Sequence, residues 1–131
     1  MEFENKKHLL NYEKMDTLHK EFVDIYNSIE EGSIESYKNV MFKLIEQTKR
    51  HFCEEESLML ESEYPRKKEH MDEHNKVLAE MEYFLKVSHS KFGQSMLKSY
   101  VKNKLPYWFE YHVISMDSDL SSFLKKIKIA S

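Results

Sequence analysis

Two glycines and two prolines in 131 residues leave this chain few places to turn. A β-sandwich or barrel needs turn residues every ~8–12 positions, so such architectures are excluded and long helices are favoured. Hydrophobic residues make up 40% and charged residues 33% of the chain, the balance of a sequence that buries a core rather than staying disordered. One domain over residues 1–131 is expected, of a size that buries roughly two-thirds of its unfolded surface without help from disulfides.

Apolar spacing divides the chain further. Residues 1–11 are polar with scattered Phe3, Leu9 and Leu10, and read as an N-terminal arm. Met15, Leu18, Phe22, Ile25 and Ile29 step by three and four, which predicts a helix over 12–31. Gly32 then supplies a stop and Ser33 a cap. A second stripe, Ile34, Tyr37, Met41, Leu44, Thr48, His51, Glu55 and Leu58, predicts a helix over 34–62. Pro65 is placed to open a third helix over 65–88, with His70, His74, Val77, Met81 and Leu85 on one face. A polar turn over 88–94 precedes a fourth helix over 95–127, which Pro106 kinks or effectively begins. Short connections between long helices make antiparallel neighbours. The expected fold is therefore all-α, an antiparallel up-down-up-down four-helix bundle.

The informative residues are polar ones standing on apolar stripes. His51 and Glu55 are i,i+4 on the second helix, and His70 and His74 are i,i+4 on the third. His19 lies beside Leu18 and Phe22, and His112 follows Trp108 by one turn, with Asp117 five residues later. Five of the seven histidines lie on the stripes, His8 and His89 being the exceptions. Burying one such group without a partner costs several kcal/mol, roughly by transfer scales. Seven converging on one axis are explained economically by metal, which turns each penalty into a bond.

The pattern His19, His51-x-x-x-Glu55, His70-x-x-x-His74 and His112-x-x-x-x-Asp117 resembles the full ligand signature of the hemerythrin family. Trp108-Phe-Glu-Tyr-His112 resembles its bacterial branch, and Met15-Asp-Thr-Leu-His19 its first-helix motif. The resemblance covers residues 12–124. Two departures are the arm, without the tryptophan many bacterial members carry, and Phe109, where relatives often have leucine. The resemblance implies two non-haem iron ions with a bridging oxo or hydroxo group. His70, His74 and His112 would hold one iron, His19 and His51 the other, and Glu55 and Asp117 would bridge. With about six positions per iron, such a set leaves one position open, on the iron with two histidines. Reversible dioxygen binding is the function implied, as carrier, store or scavenger and without enzymatic turnover. The alternative is a diiron protein handling nitric oxide or supplying iron for cluster repair. Trp108, Phe109 and Val113 are expected to form the oxygen pocket.

Five residues of ideal helix turn Asp117 about 140° away from His112. A π-type widening between them is therefore expected, with the helix continuing because Leu120, Phe123, Leu124 and Ile127 resume the apolar face. Other readings fit less well. His70-Met-Asp-Glu73-His74 matches the H-x-x-E-H pattern of zinc hydrolases, but Glu73 lies one step off the ligand direction and is expected to face outward. Ferritin-like oxidases use Glu-x-x-His pairs, and none occurs. Asp16 is either a partner for His19, one turn away, or a first-turn charge.

The net charge of -3 offers no nucleic-acid footprint, and Lys125, Lys126 and Lys128 read as a solvated helix end. No apolar run is long enough for a membrane span. The opening MEFENKKHLL lacks the apolar core of a secretory leader. Cys53, the single cysteine, is expected to be an inert thiol in a reducing compartment. These features predict a cytoplasmic protein, a monomer or weak oligomer, and the resemblance implies dioxygen as its partner.

Overall fold

The computed structural model describes residue 10 and residues 12–130, with side chains through residue 127. The arm expected over 1–11 therefore lies outside the described residues, apart from Leu10. Three long helices come first, α1 (Glu13–Tyr26), α2 (Ile34–Ser62) and α3 (Lys67–Lys86). A 3₁₀ turn, Val87–His89, leads into the fourth rod of the bundle. That rod is wound as α4 (Lys91–Ser99), a π turn (Tyr100–Lys104), α5 (Leu105–Tyr111), a second π turn (His112–Asp117) and α6 (Ser118–Ala130). The chain is an all-α four-helix bundle in which α2 packs against both α1 and α3. Among the described residues no helix is long and apolar enough to cross a membrane.

Several helix ends differ from the expected ones, each for a local reason. α1 stops at Tyr26, five residues early, where Ser28 turns its hydroxyl onto the Ile25 carbonyl (2.6 Å) and competes with the helical ladder. Ser33 does cap α2, accepting from the Ser36 amide at 3.2 Å. α2 ends where Glu63 adopts a left-handed conformation, φ 55°. Tyr64 donates to the Met59 carbonyl and Glu63 to that of Leu60, and Tyr64 packs with Met59, the Schellman arrangement built without glycine. Pro65 falls in the following turn, so α3 opens at Lys67 rather than at the proline.

Gly93, read as a turn residue, lies inside the first turn of α4, where Ser90 accepts its amide at 3.0 Å. A Cβ on Gly93 would sit 1.6 Å from the Val87 carbonyl oxygen, which is backbone and cannot swing aside. Gly93→Ala should therefore destabilise the fold by about 3 kcal/mol, lowering the thermal midpoint by about 10 °C. A melting curve that overlays wild type would refute the close approach.

Each π turn has an identifiable cause or consequence. In the first, the Leu105 amide reaches the Tyr100 carbonyl, five residues back. Pro106, next in sequence, has no amide to donate and in an α-helix would crowd the Lys102 carbonyl, so the widened turn accommodates it without a break. Tyr26 crosses from α1 to donate to the Val101 carbonyl at 2.7 Å. In the second, the Ser118 amide reaches Val113, again five residues back, and this widening lies between His112 and Asp117, where the spacing predicts it.

Candidate metal centre

The site interrupts the apolar core. A large cluster includes Phe22, Ile45, Phe52, Val77, Phe109 and Val113, and a smaller one comprises Met15, Met59, Tyr64, Leu120 and Leu124. His19 falls between Met15 and Phe22 on α1, Glu55 between Phe52 and Met59 on α2, and His112 and Asp117 between Phe109 and Leu120 on the fourth rod. His70 and His74 occupy the first turns of α3, before Val77. All seven expected residues come together, and all are buried, none above 4% exposed.

The five histidines present Nε2 to the two carboxylates, and the carboxylates divide them. Asp117 Oδ1 lies 2.9 Å from His70 and 3.0 Å from His112, while Glu55 Oε1 lies 3.0 Å from His74 and 3.3 Å from His70. The second oxygens face the other way. Asp117 Oδ2 meets His19 at 2.7 Å, and Glu55 Oε2 meets His51 at 2.5 Å and His19 at 3.8 Å. The donor atoms thus form two groups. His70, His74 and His112 make one and His19 and His51 the other, with Glu55 and Asp117 common to both.

Many of these atoms are close without being bonded. His74 Nε2, Glu55 Oε1 and Asp117 Oδ1 align with no hydrogen-bond partner despite separations of about 3 Å. His70 and His112 point ring nitrogens at each other across 3.3 Å. Orphaned buried polar atoms are costly, and lone pairs aimed at a common point rather than at donors are what a cation requires. Imidazole nitrogen with carboxylate oxygen suits first-row transition metals. The residues present therefore fit metal ions, one in each group.

Around this cluster the side chains form a shell that the sequence reading leaves partly unread. Glu56 meets His74 Nδ1 at 3.1 Å. Phe52 stacks flat on His74, centroids 3.6 Å apart and 3° from parallel. Trp108 stacks on His112 at 4.9 Å and meets Phe52 edge-on, which places it on the three-histidine side. Its indole N–H donates to Glu73 at 2.8 Å, so Glu73 is half-buried and engaged rather than an outward helix charge. Phe109 lies on the other side, by the two-histidine group. It stacks on Phe22 at 4.7 Å and turns its edge to His19 at 6.0 Å. Val113 is fully buried in the same apolar cluster. Asp16 is a first-turn charge of α1 and not a partner of His19, whose Nδ1 has none. It accepts from the backbone amides of Leu10 (2.7 Å) and Tyr12 (3.2 Å), tying the entering chain to α1. Cys53 is exposed.

The electrostatics reflect the crowding of these groups. Burial opposes charge on His19, but the hydrogen bond with Asp117 and the nearby Glu55 carboxylate outweigh it and raise the imidazole to about 9. Burial likewise opposes charge on His70, and the closeness of the Asp117 and Glu55 carboxylates outweighs it, raising that imidazole to about 9. Burial pushes Glu55 up, yet the His51 charge and hydrogen bonds from the histidines hold it well below its ordinary value. Asp117 is likewise held low, against burial and the repulsion of Glu55, by His112 and His19.

These shifts fix the sign of two pH effects. Stability from the raised histidines is complete below their unfolded value of about 6.5 and is lost as pH rises through about 9. Stability from the depressed carboxylates is present above about 4 and lost as pH falls below it. The metal-free protein should be most stable between those limits. A metal needs the nitrogen lone pairs, so loading at neutral pH should expel about two protons per chain, from His19 and His70, and affinity should rise toward pH 9. Proton release in weak buffer and chelator competition across pH 6–9 measure this. No release with a flat affinity profile would contradict it.

Fold and site together define a class, a four-helix bundle with a buried five-histidine, two-carboxylate cluster compatible with metal binding. Over 109 residues the chain is 28% identical to the bacteriohemerythrin of Ralstonia nicotianae, an alignment covering 83% of this chain and 78% of that protein. The resemblance to the hemerythrin family is thus found in a relative as well as in the motifs. No family model and no solved structure matches the chain.

Proposed function

We propose that this chain is a hemerythrin of the bacterial kind, a non-haem diiron protein that binds dioxygen reversibly as carrier, store or scavenger. The observation that carries the reading is the division of the carboxylates: Glu55 has Oε1 by His70 and His74 and Oε2 by His51, and Asp117 has Oδ1 by His70 and His112 and Oδ2 by His19. His70, His74 and His112 would hold one iron, His19 and His51 the other, with the carboxylates bridging beside an oxo or hydroxo group. Two ferrous ions supply the two electrons that reversible dioxygen binding draws on. Phe109, Phe22 and Val113 would keep water from the two-histidine side, where the ligand count would leave one position for a small molecule. Trp108 and Phe52 hold the imidazoles of the three-histidine side in place. We place the protein in the cytoplasm, as a monomer or weak oligomer with no catalytic turnover.

Anaerobic loading with ferrous iron, exposure to air and then deoxygenation test the reading. An oxygen-dependent charge-transfer band should appear and vanish over repeated cycles, with two irons per chain. Irreversible bleaching on first exposure would overturn the carrier function and favour nitric oxide handling or iron supply. One iron per chain at saturation would overturn the diiron assignment.

A further inference from the structure

We propose that Glu56 is a positioning residue for the metal centre, fixing His74 through its Nδ1 and strengthening it as a donor to the three-histidine position. The inference rests on the diiron reading above. His74 Nε2 faces the cluster, 3.0 Å from Glu55 Oε1, so its opposite nitrogen must carry the proton when Nε2 binds a metal. That nitrogen lies 3.1 Å from Glu56 Oε2. Among the other ligand candidates, Nδ1 of His19, His70 and His112 has no partner.

A carboxylate on Nδ1 does two things. It selects the tautomer that leaves the Nε2 lone pair toward the metal, and it raises the electron density the ring donates. Phe52, stacked at 3.6 Å on the same imidazole, prevents the ring from tilting away. Glu56 follows Glu55 directly, so one helical segment supplies a bridging carboxylate and, about 100° around the helix, the partner that orients a ligand on α3. The negative charge of Glu56 also favours the more oxidised state of the metal that His74 serves. The two sides of the centre are thereby unequal in more than ligand number.

The test uses full-length protein loaded with ferrous iron, comparing wild type with Glu56→Gln, Glu56→Asp and Glu56→Leu. Metal content, the rate of iron loss to a strong chelator, and the reduction potential are measured. Iron loss should be about 10–100-fold faster in Glu56→Leu, with Glu56→Asp nearer to wild type. The potential should rise in both Glu56→Gln and Glu56→Leu, because both remove the charge. A merely structural role would lower the melting temperature and leave the potential where it was. Wild-type release rates and potential in Glu56→Leu would overturn the proposal. Nitrogen NMR of metal-free protein gives an independent readout, since His74 should be the Nδ1–H tautomer in wild type and mixed in Glu56→Leu. An unchanged tautomer would also overturn it. Should wild type take up no pair of ions, the diiron reading fails on its own, and the tautomer measurement still decides the role of Glu56.

Discussion

Glu55→Ala should empty the centre, taking bound iron from two ions per chain to fewer than one. Glu55 is the residue with an oxygen close to His70 and His74 on one side and to His51 on the other, so its loss weakens both positions at once. At a free metal concentration of 100 times the dissociation constant, each ion stabilises the folded chain by about 2.7 kcal/mol. Loss of two ions therefore removes about 5 kcal/mol, or about 20 °C in thermal midpoint. In the metal-free state the change is smaller. His19 and His70 keep Asp117, the closer carboxylate of each at 2.7 and 2.9 Å, so neither is left as an unpaired buried charge. Metal analysis and paired melting curves, with and without chelator, separate the two effects. A variant that retains two ions and a chelator-sensitive midpoint would remove Glu55 from the ligand set.

Phe109→Ala should shorten the life of the oxygenated form at least about tenfold, because it opens the dry side of the centre. The ring is 2% exposed, lies parallel to Phe22 at 4.7 Å and meets His19 edge-on. Truncation leaves a cavity beside an imidazole, roomy and polar enough to admit water, and costs about 3–5 kcal/mol in stability. Phe109→Leu restores most of the volume and should cost only about 1 kcal/mol, with a near-wild-type lifetime. The pair of variants separates exclusion of water from loss of aromatic stacking. Equal lifetimes in wild type and Phe109→Ala would show that Phe109 does not guard the open position.

Much of this was legible because both the core and the site follow helical periodicity. His51 and Glu55, or His70 and His74, share a face by spacing alone. The widening between His112 and Asp117 was legible for the opposite reason, since a five-residue spacing conflicts with a continuous apolar face and only a distorted turn reconciles them. Other features left no such mark. Glu73 reads as an outward helix charge and Glu56 carries no signal in the sequence, because their partners sit on other helices and the contact depends on interhelical distance and rotamer. Asp16 bonds to backbone amides, which every residue but proline carries. The end of α2 at Glu63 uses a left-handed residue without glycine, and Gly93 serves a close backbone approach rather than a turn. The π turn at Tyr100–Lys104 was legible only as a disturbance near Pro106.

The widened turn at His112–Asp117 also distinguishes the two carboxylates by their freedom to move. Glu55 reaches the centre from a regular helix through three side-chain torsions, and Asp117 does so from a π turn through two. The shorter side chain is brought into place by the path of the main chain, so its carboxylate has one torsion fewer with which to shift while the helix stays as wound. Glu55 can follow a change in spacing by rotating within its staggered wells. The centre thus has one stiff wall and one compliant wall. A change in its dimensions on loading or ligand binding is absorbed on the α2 side, leaving the packing of the fourth rod undisturbed.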